Sequence, residues 1–197
     1  MASEFELTLE SFAFPATLPN SRANFRFVVD VRMVRSGKFA TDTAVMPGFD
    51  TWWECDRKKT RHPLYVRLAG APALDMDRID AWERLVLLTR ADSLHSLQLK
   101  VFDVDRPDAW DTLRDALGRI AQSVLGRTSR ALELQDIAAE GFGAVEEDVR
   151  SSVAKRLAGG DRLLYRGSAP LDAPGPVTLG GRGVGGDYAA AFRLAKR

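Results

Sequence analysis

The clearest pattern in the chain is an alternation of apolar and polar residues over positions 24–33. The odd positions from Phe25 to Met33 are all apolar, and all but one of the even positions are polar or charged. A period of two excludes a helix and predicts a β-strand with one side in solvent. A turn is predicted at 35–38, where Gly37 allows positive φ, and the alternation over 39–45 predicts the partner strand of a hairpin.

Further apolar runs predict strands on both sides of this hairpin. Residues 5–14 alternate and then change phase, which predicts a strand with a bulge near Ser11. Other strand-like or apolar runs are 49–55, 64–68, 82–88, 93–104, 162–169 and 188–195. We predict loops at 70–77 and at 174–186, the second a mobile one because it holds six glycines and no helix pattern follows it.

Between positions 107 and 160 the apolar residues change to a helical period. In the first part they recur every three or four residues, from Trp110 to Val124, and two further helical stretches are predicted at 131–139 and 145–157. Because strand patterns flank this block, we predict one domain over residues 1–197. Its fold is mainly β, an antiparallel sandwich of about eight strands with an α-helical insertion at 107–160, before the last two strands.

Composition narrows the classes of partner and the compartment. The 28 Lys and Arg residues nearly balance the 27 Asp and Glu residues, so no nucleic-acid partner is expected. The single Cys55 can form neither an internal disulfide nor a thiolate metal site, which favours a reducing compartment. The N-terminus lacks the pattern of an export signal and no apolar run is long enough to span a membrane, so the expected location is cytoplasmic.

An acidic group follows the strand predicted at 93–104. Its candidate metal ligands are Asp103, Asp105 and Asp111, with Asp108 between them. Carboxylates at a strand end can converge on Ca²⁺, which takes about 6 to 8 oxygen ligands. The alternative is that these aspartates cap the strand end and the helix that follows.

A basic run and a tryptophan form a second candidate site. The cations are Arg57, Lys58, Lys59 and Arg61, which could bind an anionic lipid headgroup or a partner. Alternatively, this run is a solvated loop or an edge protected by lysine. Trp52 and Trp53 would face opposite sides of a strand, one in the core and one partly exposed. Trp52 is the candidate for a surface contact, unless it packs beneath a loop or the helical block.

Four segments resemble the C2 domain family. Asp80-Ala81-Trp82-Glu83-Arg84-Leu85 resembles its Asn-Pro-x-Trp-Asn-Glu signature, and residues 97–105 resemble the strand whose Asp-x-Asp begins the third calcium loop. Residues 163–171 are similar to the strand after that loop, and Lys58-Lys59-Thr60-Arg61 to a basic segment of the family. The resemblance implies an eight-stranded antiparallel sandwich whose end loops touch membranes or protein partners, without catalysis.

The chain departs from this family at the calcium loops. The segment 18–25, which corresponds to the first loop, holds no carboxylate, and the third loop carries the insertion. Few carboxylates are therefore available as ligands. We expect the protein to need no cofactor and to act without calcium, and if an ion does bind, Ca²⁺ is the candidate.

Three functions remain open from the sequence. The first is a non-catalytic C2-like recognition module for a protein partner or an anionic membrane surface; the balanced charge of 106–160 favours the protein partner. The second is a structural subunit of a homo-oligomer or larger complex, using 107–160 as its contact surface. The third is a metal-dependent enzyme using Asp103, Asp105 and Asp111. We do not expect the protein to be an enzyme. The glycine-rich segment at 180–186 is not followed by a predicted helix that could bind phosphate, and the sequence contains no nucleophile elbow.

Overall fold

The computed structural model describes residues 2–18, 22–48, 51–59, 63–104 and 162–197. Within these ranges the chain is mainly β, which confirms the predicted class. The strands are β1 (Ser3–Ala13), β2 (Arg22–Arg35), β3 (Lys38–Met46), β4 (Trp53–Asp56), β5 (Tyr65–Leu68), β6 (Ala71–Leu74), β7 (Leu85–Ala91), β8 (Ser93–Asp103), β9 (Arg162–Pro170), β10 (Gly175–Gly183) and β11 (Gly186–Lys196). A 3₁₀ turn (Met76–Arg78) and a short helix, α1 (Ala81–Arg84), lie between β6 and β7. The predicted insertion at 107–160 lies outside the described residues.

The strands form two antiparallel sheets. The first has six strands, in the order β10-β11-β1-β6-β5, with β7 also paired to β1. The second has five strands, in the order β3-β2-β8-β9, with β4 paired to the first residues of β2. Inward side chains of both sheets meet in one hydrophobic cluster, which is the arrangement of a sandwich.

The predicted alternation of β2 builds the centre of this core. Phe25, Phe27 and Val29 have no exposed surface. From the facing sheet, Phe12 packs edge-on against Phe27, with ring centroids 4.6 Å apart. Phe12 reaches this position because the register of β1 against β11 shifts between Leu9 and Ser11, which confirms the predicted bulge.

The opposite face of β2 is less exposed than its sequence predicts. Arg26, assigned to solvent, keeps only 1% of its surface exposed. Its guanidinium donates from Nε and Nη2 to the Thr51 carbonyl, at 3.0 and 2.8 Å. The prediction of a wet face is wrong at Arg26, since a carbonyl from a distant loop satisfies the buried cation in place of water.

Both predicted loops contain strands, so these predictions are wrong. In 70–77, β6 pairs with β5 through a two-residue turn in which Ala69 and Gly70 have positive φ. In 174–186, β10 pairs continuously with β11. Cross-strand pairing fixes these segments in the extended form, and this pairing outweighs the local preference of glycine for turns.

Two other segments differ in their limits. In 49–55 the strand begins only at Trp53, and in 82–88 residues 82–84 belong to α1, so the strand begins at Leu85. The predicted turn at 35–38 is confirmed, with Ser36 and Gly37 at φ of 51° and 74°. Among the described residues, no helix has the length and apolar character needed to cross a membrane.

Candidate functional site

Several connections of the chain lie at one end of the sandwich, which we call the loop end. They are the stretches that follow β1 and β4, the turn between β10 and β11, and the end of β8. The Thr17 hydroxyl after β1 donates to the Gly185 carbonyl in the β10–β11 turn. The Val184 amide donates to the Leu164 carbonyl at 2.8 Å, which joins this turn to β9. The structure thus brings the described members of the two sequence-predicted sites, Asp103 of the acidic one and Arg57, Lys58 and Lys59 of the basic one, to the same end.

Arg57, the first cation of the basic run, forms hydrogen bonds within the loop end. Its Nη1 donates to the Ala16 carbonyl, and its Nη2 donates to the Leu18 carbonyl at 2.6 Å. Carbonyls at a loop need donors when the loop is partly buried, and a guanidinium supplies several in one plane. Arg57 therefore ties the stretch after β4 to the stretch after β1.

Lys58 and Lys59 remain exposed at the loop end. The Lys58 amide donates to Asp56 Oδ1 at 2.9 Å, which fixes the backbone of the turn. The Lys59 ammonium lies 3.8 Å from Asp56 Oδ2, and its side chain is 74% exposed. An ion pair this long and exposed contributes little, so both ammonium groups can meet a partner. Arg61 lies outside the described residues.

Asp103 is the last residue of β8. Only 8% of its surface is exposed, and its Oδ1 accepts the Asn24 amide at 2.9 Å. Asn24 in turn accepts the Val104 amide at its carbonyl and donates from Nδ2 to the Val104 carbonyl, at 2.9 and 3.2 Å. These contacts match the capping interpretation of this aspartate. Asp105 and Asp111 lie outside the described ranges, and within those ranges no three His, Cys, Asp or Glu residues group to hold a metal.

The two adjacent tryptophans divide as the alternation predicts. Trp53 is 2% exposed and packs edge-on against Phe27, with ring centroids 5.0 Å apart. Trp52, the candidate for a surface contact, precedes β4 and is half-buried. One tryptophan therefore belongs to the core, and the other keeps part of its ring in solvent.

Arg162 and Leu163, which no sequence pattern indicated as site residues, add to the exposed surface of the loop end. Arg162 is the cross-strand partner of Asp103, and Leu163 that of Phe102. Arg162 is exposed, and Leu163 keeps 45% of its surface in solvent. The available signal was the position of these residues at the start of a strand next to the acidic group.

A pair of tyrosines lies beneath the loop end. The rings of Tyr165 and Tyr188 stack with centroids 5.2 Å apart, and the Tyr188 hydroxyl donates to the Val184 carbonyl at 2.8 Å. Burial raises the pKa of both phenols. The charges of Arg162 and Arg57, which lower the pKa of Tyr188, and of Asp103, which raises it, act in addition to burial.

A separate polar cluster lies where β3 and β7 approach each other. Arg35 Nη2 donates to Asp42 Oδ2 at 2.7 Å and to the Thr89 hydroxyl at 2.6 Å. Arg35 Nε donates to the Arg90 carbonyl at 3.2 Å, so one side chain links the two sheets. No sequence signal indicated this cluster, because the alternation over 39–45 places Asp42 on the other face, and only its pairing with Val31 directs it inward.

The remaining reactive residues show no catalytic arrangement among the described parts of the chain. Cys55 has no exposed surface, and burial raises the pKa of its thiol from 9.0 to about 12, so the nucleophilic thiolate is disfavoured. His95 is exposed and lies 3.2 Å from the Ser93 hydroxyl, and His62 lies outside the described residues. Comparison of the chain with family models, curated proteins and solved structures finds no match. Function is therefore inferred from the residues themselves.

Proposed function

We propose that this chain is a non-catalytic, C2-like recognition module of the cytoplasm whose loop end binds an anionic membrane surface without calcium. The observation that carries the proposal is the composition of the loop end. Lys58 and Lys59 are exposed there after β4, and Arg162 and the apolar Leu163 are exposed at the start of β9, three strands away in the same sheet. A membrane surface selects this combination, because cations meet the headgroups and an apolar side chain meets the acyl boundary.

Hydrogen bonds within the chain hold the described part of the loop end together. Arg57 holds two loops through their carbonyls, and Thr17 holds the β10–β11 turn. Because these contacts exist in the free protein, binding costs little loop entropy. Lys58 and Lys59 are then presented on a fixed turn whose amide is bonded to Asp56.

Asp103 supports the independence from calcium. One of its oxygens accepts a backbone amide, and its side chain is almost fully buried. A calcium site needs several oxygens directed at one point, and no such group exists in the described parts of the chain.

Cosedimentation with lipid vesicles tests the proposal. The protein is mixed with phosphatidylserine-containing vesicles or with neutral phosphatidylcholine vesicles, in EDTA or in calcium. We expect binding to the anionic vesicles only, to the same extent with and without calcium. The double variant K58E/K59E should bind about tenfold or more weakly, since each cation near a charged surface contributes about 1 kcal/mol.

The matched control is K38E/K196E, which makes the same charge change at two exposed lysines away from the loop end. This control should keep most of the binding. Equal binding to neutral vesicles, a requirement for calcium, or an equal loss in both double variants would contradict the proposal. The third result would mean that net charge, rather than the loop end, attracts the vesicle.

A further inference from the structure

β3 is an edge strand that pairs on one side only. It pairs with β2 from Lys38 to Met46, and no other strand in the described ranges pairs with it. Its free edge therefore presents main-chain donors and acceptors of the kind that another strand can use.

The tight turn before β3 determines which residues present these groups. A two-residue turn makes Arg35 and Lys38 a hydrogen-bonded pair, so the even-numbered residues of β3 bond to β2. The odd-numbered residues then direct their N–H and C=O groups away from β2. These residues are Phe39, Thr41, Thr43 and Val45.

The other edges carry features that oppose pairing. β10 contains Pro176 and four glycines, and β9 ends in Pro170 and has a register shift against β8. β4 and β5 have four residues each, and β7, which pairs only with β1 in the described residues, has seven residues and a register shift after Leu85. Short strands, prolines, glycines and bulges all weaken edge pairing, whereas aromatic and β-branched residues favour it.

Between Phe39 and Val45 the only charged residue of β3 is Asp42, which faces inward. An inward charge normally protects an edge, since pairing would bury it. Here the Arg35 guanidinium already pairs with Asp42 at 2.7 Å, and the Thr89 hydroxyl lies 3.4 Å from the same oxygen. The charge is compensated within the chain and does not prevent a strand from adding beside it.

We propose that β3 pairs antiparallel with β3 of a second copy of this chain, so that two five-stranded sheets join across a two-fold axis at Thr41. A two-fold axis is self-complementary, and this register bonds odd-numbered residues only to odd-numbered residues. It places Phe39, which is 85% exposed, opposite Thr43 of the second copy. It also places Asp42 opposite Ala40 and avoids a like-charge pair across the axis.

Sedimentation equilibrium on the full chain tests the pairing. Between about 5 and 500 µM, the weight-average mass of the wild type should rise from 21.7 kDa towards twice that value. The variant T41P removes an outward N–H without breaking a bond to β2, and it should stay at the monomer mass. The matched control T178P makes the same change on β10, at a position whose N–H likewise points away from the paired strand, β11, and it should dimerise like the wild type.

A second variant decides the outcome if T41P does not fold. F39K changes a side chain that is already in solvent, so it should fold and raise the dimer dissociation constant about tenfold. A wild type that stays monomeric over the whole range would overturn the proposal. A dimer that neither T41P nor F39K weakens, or that T178P weakens equally, would place the contact elsewhere and overturn it too.

Discussion

Gly183 shows how one residue without a side chain lets the edges of the two sheets meet at the loop end. A β-carbon there would overlap the Leu164 carbonyl oxygen and lie 2.8 Å from the Tyr188 ring. This close approach allows the Val184 amide to bond to Leu164 and keeps β9 beside β10. Glycine in a strand interior is expected where another backbone comes this near.

G183A should therefore lower the free energy of unfolding by about 1 to 3 kcal/mol, because Leu164 and Tyr188 must both move. Urea unfolding followed by tyrosine and tryptophan fluorescence measures the change. The matched variant G180A lies in the same strand, and its nearest atom, the Tyr188 carbonyl oxygen, would be 3.7 Å from the new methyl. Equal midpoints for the two variants would contradict the role assigned to the Leu164 contact.

For single residues, the sequence pattern predicted which face of a strand a side chain lies on more reliably than which groups that side chain contacts. The alternation placed Trp53 opposite Trp52 and the apolar residues of β2 in the core, because side-chain direction follows from the period of a strand. It did not predict the burial of Arg26 or the contacts of Arg57. Each depends on carbonyls of segments distant in sequence, Thr51 for Arg26 and Ala16 for Arg57.

Among the elements, two hairpins have positive φ at both turn residues, and they differ in the residue that precedes the glycine. The turn before β3 has Ser36 and Gly37, whereas the turn between β5 and β6 has Ala69 at φ of 49° and Gly70 at 86°. The left-handed conformation costs a residue such as alanine about 1 to 2 kcal/mol, and asparagine tolerates it better. The second hairpin is therefore the one that its sequence specifies less well.

A69N should raise the free energy of unfolding by about 0.5 to 1 kcal/mol, since Asn-Gly is the preferred pair for this turn. The thermal midpoint should rise accordingly. A189N introduces asparagine at an exposed site in the extended strand β11, where we expect no gain. An unchanged or lower midpoint for A69N would show that Ala69 is not strained.

Strands with strict alternation were predictable as elements, but their partners were not. The strands at 22–35 and 93–103 follow the period of two, and their limits agree closely with the expectation. β6 and β10 were missed because proline and glycine dominate their local signal. Their extended form depends on β5 and β11, and pairing between distant segments leaves no local pattern.

At the scale of the whole molecule, the core should lose stability in alkaline solution. Burial raises the pKa of Cys55 from 9.0 to about 12 and raises the pKa values of Tyr165 and Tyr188 above 10.0. As pH rises above 9, the unfolded chain releases the Cys55 proton while the folded chain retains it. The stability is therefore complete below pH 9 and falls between pH 9 and about 12.

Urea unfolding at about pH 8 and at about pH 10.5 measures this loss. Each group with a raised pKa contributes up to about 1.4 kcal/mol per pH unit between its pKa in the unfolded chain and its pKa in the folded chain. C55A should retain the tyrosine contribution and lose the part that begins at pH 9. A free energy of unfolding that stays constant to pH 10.5 would contradict the burial of these groups.

The sequence predicted most of the residues that belong to the candidate site, but it predicted only some of their roles. The order of strands in the sequence placed the acidic group and the basic run at strand ends, and the fold brings their described members, Asp103 and Arg57 to Lys59, to the loop end. The sequence did not distinguish Arg57 from Lys58, since adjacent cations look alike until one finds buried carbonyls. The position of Arg162 and Leu163 at the loop end follows only from their pairing with β8, which the sequence does not show.

The pairing of β1 with β11 has a practical consequence. Phe5 lies opposite Lys196, and the Arg197 amide donates to the Glu4 carbonyl, so both ends of the described chain emerge together. They emerge at the pole where Arg35 contacts Arg90, opposite the pole where Arg57 and Asp103 lie. A tag, a fluorophore or a sensor surface attached at either terminus would leave the opposite pole pointing outward, which makes this protein simple to immobilise in a uniform orientation.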